Sequence, residues 1–313
     1  MTTTRAILVD PSAPAHLALG EAELPPPLRT EATVRVKAIS LNRGEVRRAQ
    51  DSAAGDRLGW DVGGVVESAA ADGSGPQPGE RVVGILRTGA WSELLNLPTT
   101  NLAVLPDSVS FEDAATLRVA ALTALYVLDR ANGLAGRNVL VTGASGGVGH
   151  FAVQLAAMCG ATVTGLVRQE RHAAVVSEAG AAHVVADGTG AAAREFGPYD
   201  HVLDSVGGQT FGNIATMLAP GGSIVSYGVS AGGRVEMDVT PLFRSRGTFS
   251  SFLVFDEMMK ETARVGLTRL LGLVADGRLK PLISLQEDWN QIGPVAQQLL
   301  DRNFPGKAVL TVS

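Results

Sequence analysis

The 313-residue sequence predicts an α/β chain, a mostly β domain followed by a doubly wound parallel sheet. Three observations carry that expectation. The first third is punctuated by short alternating strand patterns. From Phe111 onward apolar strand runs alternate with helical stretches. Between them stands Val139-Leu-Val-Thr-Gly-Ala-Ser-Gly-Gly-Val-Gly-His150, an apolar triplet, a run of small residues and then a helix start. Strands alternating with helices build a parallel sheet covered on both faces.

Taken in order, Met1 to Asp10 reads as a first strand. Ala32 to Ile39 sets Thr33, Arg35 and Lys37 against Val34, Val36 and Ala38, the period-two pattern of a half-buried strand. Gly63 to Glu67 and Arg81 to Ile85 are further strands. Asp72 to Gly79, rich in Gly and Pro, is the loop between them. Ala114 to Leu128 is an apolar helical stretch. Val139–Val141, Thr162–Val167, His183–Ala186, His201–Asp204, Ser223–Tyr227 and Gly247–Leu253 are the strands of the sheet. Helices fill most gaps, Val148 to Cys159 among them, and Gly160, Gly180 and Gly221 stand where helices should stop. The tail reads as a long helix from Asp256 to Ala275, a strand at Leu282–Leu285, a helix from Trp289 to Arg302 and a closing strand at Lys307–Val312.

Composition narrows the function classes. The length suits about two domains. Hydrophobic residues at 45% against 18% charged support a large core. A net charge of -5 and a pI near 5.6 argue against nucleic acid as a partner. No apolar stretch approaches the ~20 residues of a membrane span, and the N-terminus lacks a signal-peptide pattern. Cys159 is the single cysteine, so no disulfide or cysteine-based zinc site can form within one chain. A cytoplasmic enzyme acting on a small molecule is the expectation.

The glycine-rich run points to a dinucleotide. Aligned on G-x-G-x-x-G it offers Ala144-Ser145-Gly146-Gly147-Val148-Gly149, with Ala in the first slot. The middle glycine lets backbone approach a pyrophosphate, the last lets helix pack on strand, and the helix N-terminus presents N–H groups to phosphate. The strand before and the helix after supply the context this motif requires.

Several segments, in order, resemble the zinc-independent medium-chain dehydrogenases/reductases of the quinone oxidoreductase group. They are Ser40-Leu-Asn-Arg-Gly-Glu45, Gly59-Trp-Asp-Val-Gly-Gly-Val-Val-Glu67, Pro78-Gly-Glu-Arg-Val-Val-Gly84, Ala121-Leu-Thr-Ala124, the glycine run and Gly306-Lys-Ala-Val-Leu-Thr-Val312. The resemblance covers essentially the whole chain. It implies a GroES-like catalytic domain from residues 1–117 and 256–313, a Rossmann domain at 118–255, an active site in the cleft between them, and a homodimer.

Related alcohol dehydrogenases hold a catalytic zinc. By resemblance its ligand slots fall on Asn42, on Trp60 beside Asp61, and near Val119 or Ala120. An indole cannot ligate zinc and an amide does so poorly, so no metal is expected. Without a Lewis acid, alcohol oxidation is harder. Reduction of a quinone or a conjugated C=C asks less, because conjugation spreads the developing charge.

Cofactor choice is read from the strand after the glycine run. It ends in Arg168 with no acid at its tip, and Arg171 and His172 follow, while Glu170 lies two residues on. An NAD site usually places Asp or Glu there, whereas Arg suits a 2′-phosphate. NADPH is therefore expected; the plainer reading makes these residues a solvated helix start. Asp187 stands where the family often has Tyr.

Asn42 is the first candidate near nicotinamide or substrate, with a turn role as the alternative. Trp60 would shape the pocket, and Asp61 would pair with Arg43 or Arg57. Thr123 would meet the nicotinamide or bond within its own helix. Ser205-Val206 and Tyr227-Gly228 close two strands, where α/β sheets bind ligands. Ser251, Phe252 and Leu253 would lend backbone to the carboxamide, and Asp204 reads as a loop anchor. The loop from Arg47 to Leu58 carries no aromatic residue, unlike quinone reductase relatives, so it supplies no tyrosine proton donor.

The leading expectation is an NADPH-dependent reductase of quinones or α,β-unsaturated carbonyls. The alternatives are a specialised biosynthetic reductase for one elaborate substrate, and an NADPH-binding sensor or structural protein without turnover.

Overall fold

The computed structural model describes residues 2–131, 133–258 and 262–313. Two compact units divide it, one built from the chain up to Leu122 and again from Met258, the other from Thr123–Glu257.

The first unit opens with an antiparallel hairpin, β1 (Thr2–Val9) and β2 (Leu17–Leu24). Then come β3 (Glu31–Ser40), β4 (Asp61–Ser68), β5 (Arg81–Ile85), β6 (Leu94–Pro98) and β7 (Leu102–Val104). β3 shows why its residues form a strand. Ala32, Val34, Val36 and Ala38 are buried, while Thr33 and Arg35 are half-buried and Lys37 is exposed. The apolar stretch after Phe111 is helical in three pieces, Phe111–Thr116, a π-helical turn at Leu117–Ala121 and Leu122–Asp129.

The second unit holds β8 (Asn138–Thr142), β9 (Thr162–Val167), β10 (His183–Ala186), β11 (Tyr199–Asp204), β12 (Leu218–Ser226) and β13 (Thr248–Ser251). Every pairing is parallel, in the order β10-β9-β8-β11-β12-β13. This is the 3-2-1-4-5-6 order of a Rossmann sheet, so the doubly wound expectation holds. Helix Gly147–Met158 connects β8 to β9, Ala173–Glu178 connects β9 to β10, and Gly208–Ile214 lies between β11 and β12.

The chain returns to the first unit with helix Ala263–Ala275, β14 (Ile283–Asp288), helix Ile292–Asp301 and β15 (Lys307–Thr311). β15 pairs antiparallel to β3 and parallel to β14, closing a sheet in the order β14-β15-β3-β4-β5-β7, with β6 also on β3. Its core includes Ile7, Leu17, Val34, Leu97, Trp91 and Trp289. All three tryptophans, Trp60, Trp91 and Trp289, belong to this unit.

Two expectations change. The single helix from Asp256 to Ala275 is interrupted: a short turn at Val254–Glu257 precedes a helix that starts only at Ala263. Thr262 caps it in an extended conformation, a position Thr favours. Met259, Lys260 and Glu261 lie outside the described residues. Gly221 does not stop a helix; it lies inside β12 at φ 75°, where the register with β11 shifts. No helix among the described residues is long and apolar enough to cross a membrane.

Candidate active site

In the second unit the glycine run forms a tight link between β8 and its helix. Gly143 takes the left-handed conformation at φ 61°, and the Gly146 N–H donates to its carbonyl at 2.9 Å. The left-handed residue is thus Gly143, one place before the first motif slot. Ala144 fills that slot as a fully buried residue whose N–H donates to Leu166. A Cβ on Gly149 would stand 2.2 Å from the Gly143 carbonyl oxygen and 2.8 Å from the Ala144 Cα, so only glycine lets the helix sit this close to the strand. Gly146 caps the helix, and His150 makes the first bond back to it. The first-turn N–H groups, those of Gly147 and Val148 among them, have no carbonyl to meet inside the helix. Ser145, Gly147 and Val148 are half-buried and Gly146 is exposed. Such a cradle fits a pyrophosphate.

The carboxyl ends of the neighbouring strands are tied together by Asp204. Its carboxylate accepts from Thr142 Oγ1 at 2.8 Å, Val206 N at 3.1 Å, Gly207 N at 3.2 Å and Ser226 Oγ at 3.3 Å. Burial pushes its pKa up and these bonds pull against that. It is an anchor in the sense the sequence implied. Ser205 bonds Thr142 through both its N–H and its hydroxyl. The Tyr227 N–H donates to Asp204, its phenol is driven upward by burial, and Gly228 follows half-buried. Phe252 is buried beneath the Arg130 guanidinium, which also donates to the Ser251 carbonyl, while Leu253 is exposed. Thr123 is buried in the helix Leu122–Asp129.

Arg168 and Arg171 are exposed just past β9, and His172 is partly buried beside them. Burial lowers the His172 pKa, and the charges of Arg171 and Arg168 lower it further, which marks the three as one basic cluster. Asp187 faces its own loop, accepting from Thr189 and Ala192 N–H groups at 2.8 and 2.9 Å.

In the first unit, Asn42, Trp60 and Asp61 meet a denser network than the sequence implied. Asn42 caps helix Arg43–Ala49, and its N–H donates to Glu45 at 2.8 Å. Its Nδ2 donates to Asp61 at 2.6 Å and to Glu45 at 3.3 Å, and its Oδ1 accepts from Lys307 Nζ at 2.6 Å. Lys307 Nζ also donates to the Leu41 carbonyl at 2.8 Å and stands 3.7 Å from Asp61. Asp61 accepts from Val119 N at 3.0 Å and feels the nearby charge of Arg118. Asp61 thus pairs with Lys307 rather than with Arg57, whose guanidinium donates to Ser92 Oγ at 2.7 Å. Burial raises Asp61, and Lys307, Arg118 and Asn42 oppose it. Glu45 is raised strongly by burial and then by the Asp61 charge. Burial lowers Lys307 against the pull of both acids. Trp60 is half-buried, its ring against the backbone of Gly44.

Glu45, Arg118 and Lys307 are the members that sequence reasoning missed. Each left a signal. Asn42-x-x-Glu45 has the spacing of a capping box. Arg118 is the one charge between Asp113 and Asp129 in an apolar stretch, and Lys307 opens a strand whose next three residues are buried.

These residues do not fit a zinc ion. Trp60 has no ligating atom, and Asn42 Oδ1 already meets an ammonium. The Asp61 carboxylate is bonded to an amide and a backbone N–H. Among the described residues no three His, Cys, Asp or Glu side chains gather as a metal site.

Comparison with known proteins adds to this geometry. A family model described as zinc-binding dehydrogenase matches residues 147–267. The synaptic vesicle membrane protein VAT-1 homolog of Danio rerio is 28% identical over 312 residues, covering 90% of this chain and 64% of that protein. The acryloyl-coenzyme A reductase of Metallosphaera sedula is 30% identical over 231 residues, covering 71% of this chain and 65% of that protein. The solved structure of a Pseudomonas syringae pv. Tomato DC3000 quinone oxidoreductase shares a TM-score of 0.88 at 27% identity, over 98% of this chain and 99% of that one. The chain thus spans just under two thirds of the length of these two curated relatives.

Proposed function

Because the chain belongs to the medium-chain dehydrogenases/reductases, a family that works with nicotinamide cofactors, we propose that it is an NADPH-dependent reductase of quinones or activated C=C bonds that needs no zinc. One observation carries the reading: a complete Rossmann phosphate cradle is followed, at the end of β9, by Arg168, Arg171 and His172. The quinone oxidoreductase and the acryloyl-coenzyme A reductase among the relatives favour acceptors in which conjugation spreads charge.

The bound cofactor would supply the hydride. The chain's own residues hold it. Gly146, Gly147 and Val148 present backbone N–H groups to the pyrophosphate, aided by the positive end of the helix. Arg168 and Arg171 pair with the 2′-phosphate, for which a planar guanidinium is better suited than an ammonium. Ser205, Val206, Tyr227 and Gly228, held by Asp204, line the carboxyl edge of the sheet where a ligand sits in such folds. By resemblance, two of the zinc-ligand slots of related alcohol dehydrogenases fall on Asn42 and on Trp60 beside Asp61; Asn42 and Asp61 are tied into a network with Lys307 instead, and so the acceptor must be one that is reducible without a Lewis acid.

Steady NADPH oxidation by the purified protein with 9,10-phenanthrenequinone or 2-cyclohexen-1-one is the expected result. A broad panel of quinones and enones giving none would sink the activity. Cofactor choice is tested separately. Arg168→Ala should weaken NADPH by about 10–100-fold in a fluorescence titration, the value of a lost charge-assisted bond, and leave NADH nearly unchanged. Equal loss for both cofactors would contradict a 2′-phosphate role.

A homodimer is part of the same proposal. All four residues of β13, at the edge of the sheet, are exposed, and Phe249 and Phe243 nearby are 56% and 84% exposed. An edge strand with open N–H and C=O groups beside aromatic surface is a pairing template. Wild type should run as a dimer in light-scattering chromatography, and Phe243→Glu with Phe249→Lys should shift it to monomer. An unchanged mass in the double variant would remove β13 as the interface.

A further inference from the structure

One carboxylate gathers three half-buried residues of the first unit, Asn42, Trp60 and Val119. Asp61 follows Trp60 in the chain, accepts from Asn42 Nδ2 at 2.6 Å and accepts from the Val119 N–H at 3.0 Å. The groups beneath are closed off from solvent: Glu45, Asp61 and Arg118 are 0% exposed and Lys307 3%. The buried cluster therefore meets the surface through Asn42, with an indole and an isopropyl group for neighbours.

The Asn42 amide has a fixed orientation. Lys307 Nζ, which also donates to the Leu41 carbonyl, stands 2.6 Å from one end of it, and that end is the oxygen. The reversed amide would set N–H against N–H. At the other end, the two hydrogens of Nδ2 go to Asp61 at 2.6 Å and to Glu45 Oε1 at 3.3 Å. Glu45 Oε1 also accepts from the Asn42 backbone N–H at 2.8 Å, so that oxygen is an acceptor whichever charge Glu45 carries. Both donors of the amide are thus used inside the protein. Its oxygen has two lone pairs, and Lys307 takes one. What Asn42 has left to offer a ligand is an acceptor.

We propose that this surface takes a flat conjugated ring with a hydroxyl on its edge, the ring meeting Trp60 and the hydroxyl donating to Asn42 Oδ1. An indole is a good partner for a planar ring, and Val119 adds apolar contact. The hydroxyl supplies the donor that Asn42 Oδ1 can accept. A bare quinone or enone carbonyl is itself an acceptor and gains nothing from Asn42. The proposal rests on the reductase reading, which puts the phosphates of the cofactor on the second unit and leaves the other reactant for the first. It narrows that reactant to hydroxylated quinones and enones.

The test is calorimetric titration of the whole protein with 4-hydroxybenzylideneacetone and its 4-methoxy analogue, which keeps the ring and the enone but has no donor. Wild type should bind the hydroxyl compound about three- to tenfold more tightly, the value of one neutral hydrogen bond. Asn42→Leu, checked for folding by circular dichroism, should lose that preference and keep its NADPH affinity. A loss of NADPH affinity equal to the loss of preference would give the amide to the cofactor and overturn the proposal. The ring is followed separately. Trp60 is half-buried, whereas Trp91 and Trp289 are 0% exposed, so the hydroxyl compound should quench Trp60 fluorescence and Trp60→Phe should remove most of that quench. No preference in wild type, a preference kept in Asn42→Leu, or a quench unchanged in Trp60→Phe overturns the proposal. Where Asn42→Leu does not fold, the wild-type preference and the quench decide. A hydroxyl preference in a protein that reduces no quinone or enone leaves the surface standing and removes the reductase. Reduction of both enones with equal binding does the reverse.

Discussion

Gly149→Ala should unfold the nucleotide-binding unit well before the rest of the chain. The added methyl would lie 2.2 Å from the Gly143 carbonyl oxygen and 2.8 Å from the Ala144 Cα. Both are backbone atoms at the buried end of β8, so neither can swing aside as a side-chain tip would. The helix Gly147–Met158 would have to lift from the sheet, opening the contacts of Phe151, Val153 and Leu155, all buried. A cost of about 3 kcal/mol or more is expected, the upper range for overpacking a close contact. NADPH binding should be lost with it. Gly146→Ala is the control. Gly146 has an ordinary φ of -81°, and its Cβ would meet only the Gly143 oxygen, at 3.2 Å. Its stability should fall by less than about 1 kcal/mol, while NADPH affinity drops if backbone must approach a pyrophosphate there. Circular dichroism and NADPH fluorescence separate the two effects. A Gly149→Ala protein as stable as wild type would mean that the close approach has no energetic consequence.

Lys307→Met should cost about 3–5 kcal/mol in the first unit, the usual result of removing one partner from a buried ion pair. The Lys307 side chain is 4% exposed and that of Asp61 0%. Methionine would leave the Leu41 carbonyl and Asn42 Oδ1 without their donor and Asp61 without its nearest cation. Adding Asp61→Asn should recover part of the loss, because it removes the stranded charge yet keeps an oxygen for the Val119 N–H. A coupling of about 0.5–3 kcal/mol is expected from the double-mutant cycle. The readout is unusually clean. All three tryptophans lie in this unit, so fluorescence in a urea titration follows it without contribution from the nucleotide-binding unit. Additive losses would show that Lys307 and Asp61 do not act as a pair.

The two mutations probe parts of the molecule that differ in how far they can be read from residues alone. The glycine turn is local. β8, the turn and the helix are contiguous, and each is specified by its own residue types, so the strand, the cradle and the parallel sheet they belong to are legible in the residues themselves. Even there the detail moved: the left-handed residue is Gly143, because the turn begins one residue before the motif frame. Gly221 misled for a related reason. A glycine with positive φ accommodates a bend within a strand as readily as a helix stop, and local sequence does not distinguish them.

Local sequence determined the strand periods of the first unit, the phosphate cradle of the second, the basic trio after β9 and the absence of zinc-ligating side chains at Asn42 and Trp60. These depend on residue type and near neighbours. Only the tertiary structure decided what Asn42 and Asp61 are bonded to. Lys307 reaches them because β15 pairs with β3, joining residues 265 apart in the chain, and Arg118 joins them because Val119 docks on the first residue of β4. No periodicity records such a meeting, since the energy of a buried charge depends on which other charges the fold brings beside it.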